Sequence, residues 1–155
     1  MFSSEYGFSC IVNVVMKTLL YLKSFIRLHF VFGQTEEDWK SVQPTQIGGG
    51  IYLGHAYNIT INPNTRIGRN CNIHKGVVIG QENRGVRKGV PTIGNEVWIG
   101  INAAIVGNIT IGDDVLIAPN TYVNRDIPSH SVVYGNPCII KHRDCATEDY
   151  VSNKI

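Results

Sequence analysis

Charge is scarce in this chain and nearly balanced. Asp, Glu, Lys and Arg make up 17% of its 155 residues and the net charge is +2, so no field of one sign exists to draw in a polyanion. No run of lysine and arginine interleaved with aromatics appears either, which argues against nucleic acid as a partner. Cysteine is equally thin. Cys10, Cys71, Cys138 and Cys145 are scattered with no Cys-x-x-Cys pair, so neither a zinc cluster nor a disulfide framework is signalled, and reduced thiols in a cytoplasm are expected. The most apolar region, Phe8 to Phe32, is broken by Lys17, Lys23 and Arg27. Its longest uncharged stretch, Tyr6 to Met16, is 11 residues, too short to span a bilayer. Glu5 sits where a secretory signal would be positive.

What is abundant is a six-residue beat. Ile61, Ile67, Ile73 and Ile79, then Ile93, Ile99, Ile105, Ile111, Ile117 and Val123, step by six. A fixed short period is the mark of a solenoid. Six residues suit one short strand and a corner, and three such units close a triangular coil in which each beat stacks on its equivalent in the next turn. Gly68, Gly80, Gly94, Gly100 and Gly112 follow beats, where a positive φ or a close backbone approach is cheap only without a Cβ. At about 1.5–3 kcal/mol per buried aliphatic side chain, the beats are core rather than ligand contacts.

Three regions follow: a helical segment over 1–45, a β-helix over 46–140 with a loop excursion at 81–91, and a short tail over 141–155. In the first region apolar residues point in almost every helical direction, which fits packing against the solenoid end or a neighbouring subunit. An interfacial membrane helix is the less favoured reading. Thr35 and Asp38 have capping-box spacing for a short turn, and Pro44 marks the entry to the coils.

The beat slips twice. Ile47, Leu53 and Ile59 also step by six, but two residues out of register with Ile61, and the slip contains His55. Ile79 and Ile93 are 14 apart, two steps plus two. Between them Gln81-Glu82-Asn83-Arg84-Gly85-Val86-Arg87-Lys88-Gly89-Val90 is polar, basic and without aliphatic spacing. It reads as a loop thrown out from the prism, the place where solenoids carry binding groups.

Several stretches together resemble the hexapeptide-repeat acyltransferases, in particular their serine O-acetyltransferase-like branch. These are Gly50-Ile51-Tyr52-Leu53-Gly54-His55, Ile59-Thr60-Ile61-Asn62-Pro63-Asn64, Gly76-Val77-Val78-Ile79-Gly80, Asp126-Ile127-Pro128 and Val132-Val133-Tyr134-Gly135-Asn136-Pro137. The resemblance implies an all-β solenoid wound as a left-handed parallel β-helix, a homotrimer with active sites between subunits, and acetyl-CoA as donor. His55 matches the family's catalytic histidine. An imidazole can take the proton from a hydroxyl as it attacks a thioester.

The departures bear on the acceptor. Serine acetyltransferases carry an aspartate before the histidine, an acidic residue upstream and a histidine before the proline of the excursion. This chain has Gly54 at the first place, only Lys40, Ser41 and Val42 around the second, and Val90 before Pro91 at the third. A sugar hydroxyl of a surface-polysaccharide pathway is therefore the expected acceptor. Serine, or a non-catalytic trimeric scaffold, is the alternative. Tyr57, Asn83 and Arg84 are the expected acceptor contacts. For coenzyme A, Ala103, Ala118 and Thr121 are expected to floor a groove for the pantetheine, with Trp98 on its wall and Pro137 in the closing motif. Arg125 stands where the family carries a basic residue near the nucleotide phosphate. No metal is expected, since His29, His130 and His142 lie outside the coils or at their closing end. His74 is expected as an exposed corner residue, and Cys71, two before a beat, as packing.

Overall fold

The computed structural model describes residues 46–56, 58–152 and 154–155. The segment expected to be helical, 1–45, lies outside the described residues, and so does Tyr57. Fourteen strands follow in chain order: β1 (Gln46–Ile47), β2 (Tyr52–Gly54), β3 (Thr60–Ile61), β4 (Arg66–Ile67), β5 (Asn72–His74), β6 (Val78–Gly80), β7 (Thr92–Ile93), β8 (Trp98–Ile99), β9 (Ala104–Val106), β10 (Thr110–Ile111), β11 (Val115–Ile117), β12 (Tyr122–Val123), β13 (Ser131–Tyr134) and β14 (Ile139–His142).

They form three faces. The first stacks β1, β4, β7 and β10; the second stacks β2, β5, β8, β11 and β13, closed by β14; the third stacks β3, β6, β9 and β12. Every pairing is parallel except the closing β13–β14 hairpin. Up to β12 each face pairs every third strand, as a chain wound around a prism must, and β13 follows β11 because the first face continues between them only as the Ile111–Ile127 bridge.

Strand register lays the beats on one another. Ile47, Ile67, Ile93 and Ile111 form one column, continued by Ile127. Leu53, Ile73, Ile99, Ile117 and Val133 form the second. Ile61, Ile79, Ile105 and Val123 form the third. A second inward track runs two residues before the beat: Ile59, Thr65, Cys71, Val77, Val97, Ala103, Ile109, Val115 and Thr121 are all buried. Apart from Ile59 and Ile109, the residues of this track are smaller than isoleucine, because two side chains per six must share the interior of one narrow coil.

Close approach, not left-handed backbone, explains Gly68, Gly94, Gly100 and Gly112 after the beats; Gly80 has room for a side chain. A Cβ on Gly100 would lie 2.6 Å from the backbone nitrogen of Pro119, and one on Gly112 would lie 2.5 Å from that of Ser129. The left-handed corners belong instead to Asn70, Glu96, Asp114 and His130 on one edge and to Gly76, Asn102 and Asn120 on another. Asn and Asp tolerate that region better than most side chains.

The tail folds back along the second face. The Asp114 carboxylate accepts hydrogen bonds from the backbone N–H groups of Ala146 and Thr147, at 2.9 Å each, and from the Thr147 hydroxyl at 2.7 Å. Asn72 Nδ2 donates to the Tyr150 carbonyl at 2.8 Å, and the Ile155 N–H donates to Asn70 Oδ1 at 3.1 Å. Lys154 meets Glu96 at 2.6 Å, and Val151 is buried. Burial alone would raise the Asp114 pKa. Hydrogen bonds from Thr147, His130 and the backbone of Ala146 outweigh that and hold it below 3.8.

Two outcomes follow from this packing. Ile105→Ala removes a fully buried side chain from mid-column and should cost about 2–5 kcal/mol in chemical denaturation. A carboxylate with a depressed folded-state pKa contributes stability above its ordinary pKa and loses it as pH falls through the lowered value. Thermal melts from neutral pH down to about pH 3 should therefore lose stability more steeply for the native chain than for Asp114→Asn, and parallel curves would contradict the clasp.

Candidate active site

The two slips become two different insertions. Leu53 and Ile61 occupy neighbouring faces, one step apart, yet are eight residues apart in sequence, so the corner between them holds two extra residues. His55 lies there, exposed, with φ of 51°. Ile79 and Ile93 are likewise one step apart across 14 residues, not two steps plus two, so the excursion adds eight residues.

The excursion is a built loop. It leaves at Gly80 and returns at Thr92, and Glu82 and Gly89 pair as a bridge at its neck. Glu82 Oε1 accepts from the backbone N–H groups of Asn83 and Arg84, and Gln81 Nε2 donates to Asn83 Oδ1. A single 3-10 turn, Gly85–Arg87, forms the tip, where Val86 is 98% exposed. The loop lies over the next coil, with the Asn108 N–H donating to the Arg87 carbonyl at 2.9 Å.

These insertions flank one surface. His55 occupies the corner entering the third face; the excursion and Arg125 occupy the corner leaving it. Between them the outward strand positions of that face are Thr60, Val78, Gly80, Ala104, Val106 and Tyr122, mostly small or apolar, with Val78 39% exposed. Arg125 Nη2 donates to the Cys138 carbonyl at 3.1 Å, which fixes one side of its guanidinium against the closing turn. Ala118 is half-buried at a corner, and Pro137 is exposed beyond β13.

Two expected groove residues lie elsewhere. Ala103 is 0% exposed and Thr121 is 1% exposed, because both occupy the second inward track and point into the prism. Neither side chain reaches the outer surface. Trp98 lies on the outer side of the second face under the tail, its ring 5.1 Å from that of Tyr150. On its other side is His74, at 4.7 Å, with Tyr52 beyond at 6.3 Å. His74 is therefore no exposed corner residue but part of a ring column. Burial lowers its pKa from the ordinary histidine value, and the neighbouring His55 lowers it further, which favours the uncharged ring. No sequence signal marked this column, because its members come from three coils and the tail.

Residues 91–125 match the bacterial transferase hexapeptide family, a model of six repeats. The serine acetyltransferase of Synechococcus elongatus is 35% identical over 98 residues, 63% of this chain and 40% of that protein. The Neisseria gonorrhoeae serine acetyltransferase solved in complex with serine superposes with a TM-score of 0.57 at 35% identity, over 63% of this chain and 39% of that one. The Brucella abortus enzyme solved with coenzyme A gives a TM-score of 0.60 at 29% identity, over 64% and 40%. Over the matched residues the coils are similar to the hexapeptide-repeat acyltransferases, and in particular to serine acetyltransferases. The chain spans about two fifths of the length of the Synechococcus relative.

Among the described residues no three His, Cys, Asp or Glu side chains converge as metal ligands, and no helix is long and apolar enough to cross a membrane. Cys71 is buried with its sulfur 3.2 Å from the Gly94 carbonyl, and burial pushes its thiol up to about 11. Such a thiol is a poor nucleophile. Iodoacetamide applied to the folded protein at neutral pH should modify the exposed Cys145 and spare Cys71 and Cys138, read by peptide mass spectrometry. Modification of Cys71 at the rate of Cys145 would contradict its packing role.

Proposed function

We propose that this chain is an acetyl-CoA-dependent O-acetyltransferase in which His55 is the general base. The observation that carries the reading is the two-residue insertion presenting an exposed imidazole at positive φ on a coil otherwise given over to packing. A hydroxyl is barely ionised at neutral pH, and its attack on a thioester is slow unless the proton leaves as the bond forms. His55 takes that proton while the acceptor oxygen attacks the acetyl carbonyl. The C–O bond forms, the C–S bond breaks, and coenzyme A departs as a thiolate that receives the proton from the imidazole. Arg125 and the backbone around the third face are the groups offered to the donor's phosphates and pantetheine.

Serine is the acceptor that the names of the relatives favour; the sugar hydroxyl expected from the sequence has no counterpart among them. One observation keeps a second acceptor class, a hydroxyl compound without an ammonium group. Gly54 and Val90 leave the site without the charged side chains that the branch's pattern has at those places.

The largely apolar outer side of the third face supports a neighbouring copy seated against it, in a homotrimer with sites between subunits, and the likeness to solved serine acetyltransferases supports a left-handed coil. The free thiols of Cys71, Cys138 and Cys145 fit a reducing cytoplasm.

His55→Gln should reduce acetyl-CoA turnover by about 10²-fold or more while coenzyme A binding persists. Retained turnover would remove His55 from the mechanism, and absence of both turnover and coenzyme binding in the native chain would favour a scaffold. Neutralising Arg84, Arg87 and Lys88 to Gln should raise the acceptor KM and leave melting unchanged. An unchanged KM would place the excursion outside the acceptor site.

A further inference from the structure

The backbone of Gly54 lies against the edge of the His74 ring. The two residues are register partners in β2 and β5, and His55 follows Gly54 directly. A Cβ built on Gly54 would lie 2.6 Å from His74 Cε1 and closer still to Nδ1. No side chain can enter that space while His74 is in place, and φ at Gly54 is not the reason, since it is not left-handed. His74 in turn cannot swing away freely, because Trp98 backs it at 4.7 Å, Tyr150 of the tail backs Trp98, and Tyr52 closes the far side. The volume beside the base is thus occupied by a ring from the neighbouring coil.

We propose that His74 is a specificity-determining residue of this site: it takes the volume into which a side chain at position 54 would project, so the place beside His55 offers an imidazole and no anion. A carboxylate there would hold an acceptor's ammonium through a charge-assisted hydrogen bond. An imidazole whose pKa is held down by burial and by the neighbouring His55 offers an ammonium at most a neutral acceptor, without the opposite charge of a carboxylate. The site therefore takes a hydroxyl acceptor without requiring an ammonium group next to the hydroxyl. This rests on His55 as the general base and sides with the second acceptor class.

Two measurements on the full chain test it. The first is a melting cycle of Gly54→Ala, His74→Ala and the double variant. Gly54→Ala alone should lower stability, and the double variant should be more stable than the two single losses predict; additive losses would overturn the shared volume. The second compares L-serine with 3-hydroxypropionate, which is serine lacking its ammonium group, by calorimetric titration. The native chain should show no preference for L-serine. Gly54→Asp/His74→Ala should prefer it by about tenfold, and Gly54→Asp with His74 retained should not. A native preference of that size, or an equal gain in Gly54→Asp alone, would overturn the assignment. Both readouts are independent of turnover, so failure of the acetyltransfer reading would appear separately, as a native chain that neither binds coenzyme A nor consumes acetyl-CoA.

Discussion

Each inward isoleucine of this protein rests on the equivalent residue one coil away, and no member of a column can leave it without opening a hole that its neighbours cannot close. That stacking dictates the rest. It fixes the six-residue period, because a longer step would turn the wrong residue inward. It limits insertions to corners, where extra residues bulge into solvent without disturbing the columns. Both insertions in the described coils are corner insertions, and they border the same outer surface. A fold whose interior is monotonous thereby carries its distinctive residues on its edges.

The tail adds a second device. Asp114, Glu96 and Asn70 stand at successive levels of one edge, and each takes hold of the tail by its side chain. The strap covers Trp98 and, through it, backs His74, so the far end of the chain bears on the space beside His55. The space beside the base is then bounded by three coils and the tail together.

The columns were legible in the sequence because a strict period survives without knowledge of the partners. The slips were legible for the same reason, although their sizes were not: Ile59 steps by six from Leu53 only because it lies on the second inward track, and the excursion looked like two steps until pairing placed Ile79 and Ile93 on adjacent faces. That second track also explains why Ala103 and Thr121 read as groove floor although their side chains point inward. Small side chains suit a cofactor groove and a crowded interior equally well, and composition cannot tell the two apart. The tail's clasp was invisible, since the Ile155–Asn70 hydrogen bond joins residues 85 positions apart and no periodicity links them. His74 was read as a corner because it follows a beat; its ring is held by residues of other coils.

The matched relatives establish the kind of coil and leave the acceptor to the side chains around one corner. The account stands on His55 being next to the chemistry. A crystal structure of the protein with coenzyme A bound tests this most directly. The account predicts the thiol sulfur beside the third face, close enough that an acyl carbonyl and a hydroxyl within about 2.6–3.2 Å of the His55 imidazole can meet there. A thiol lying on the first face, or separated from His55 by the width of a coil, would contradict it.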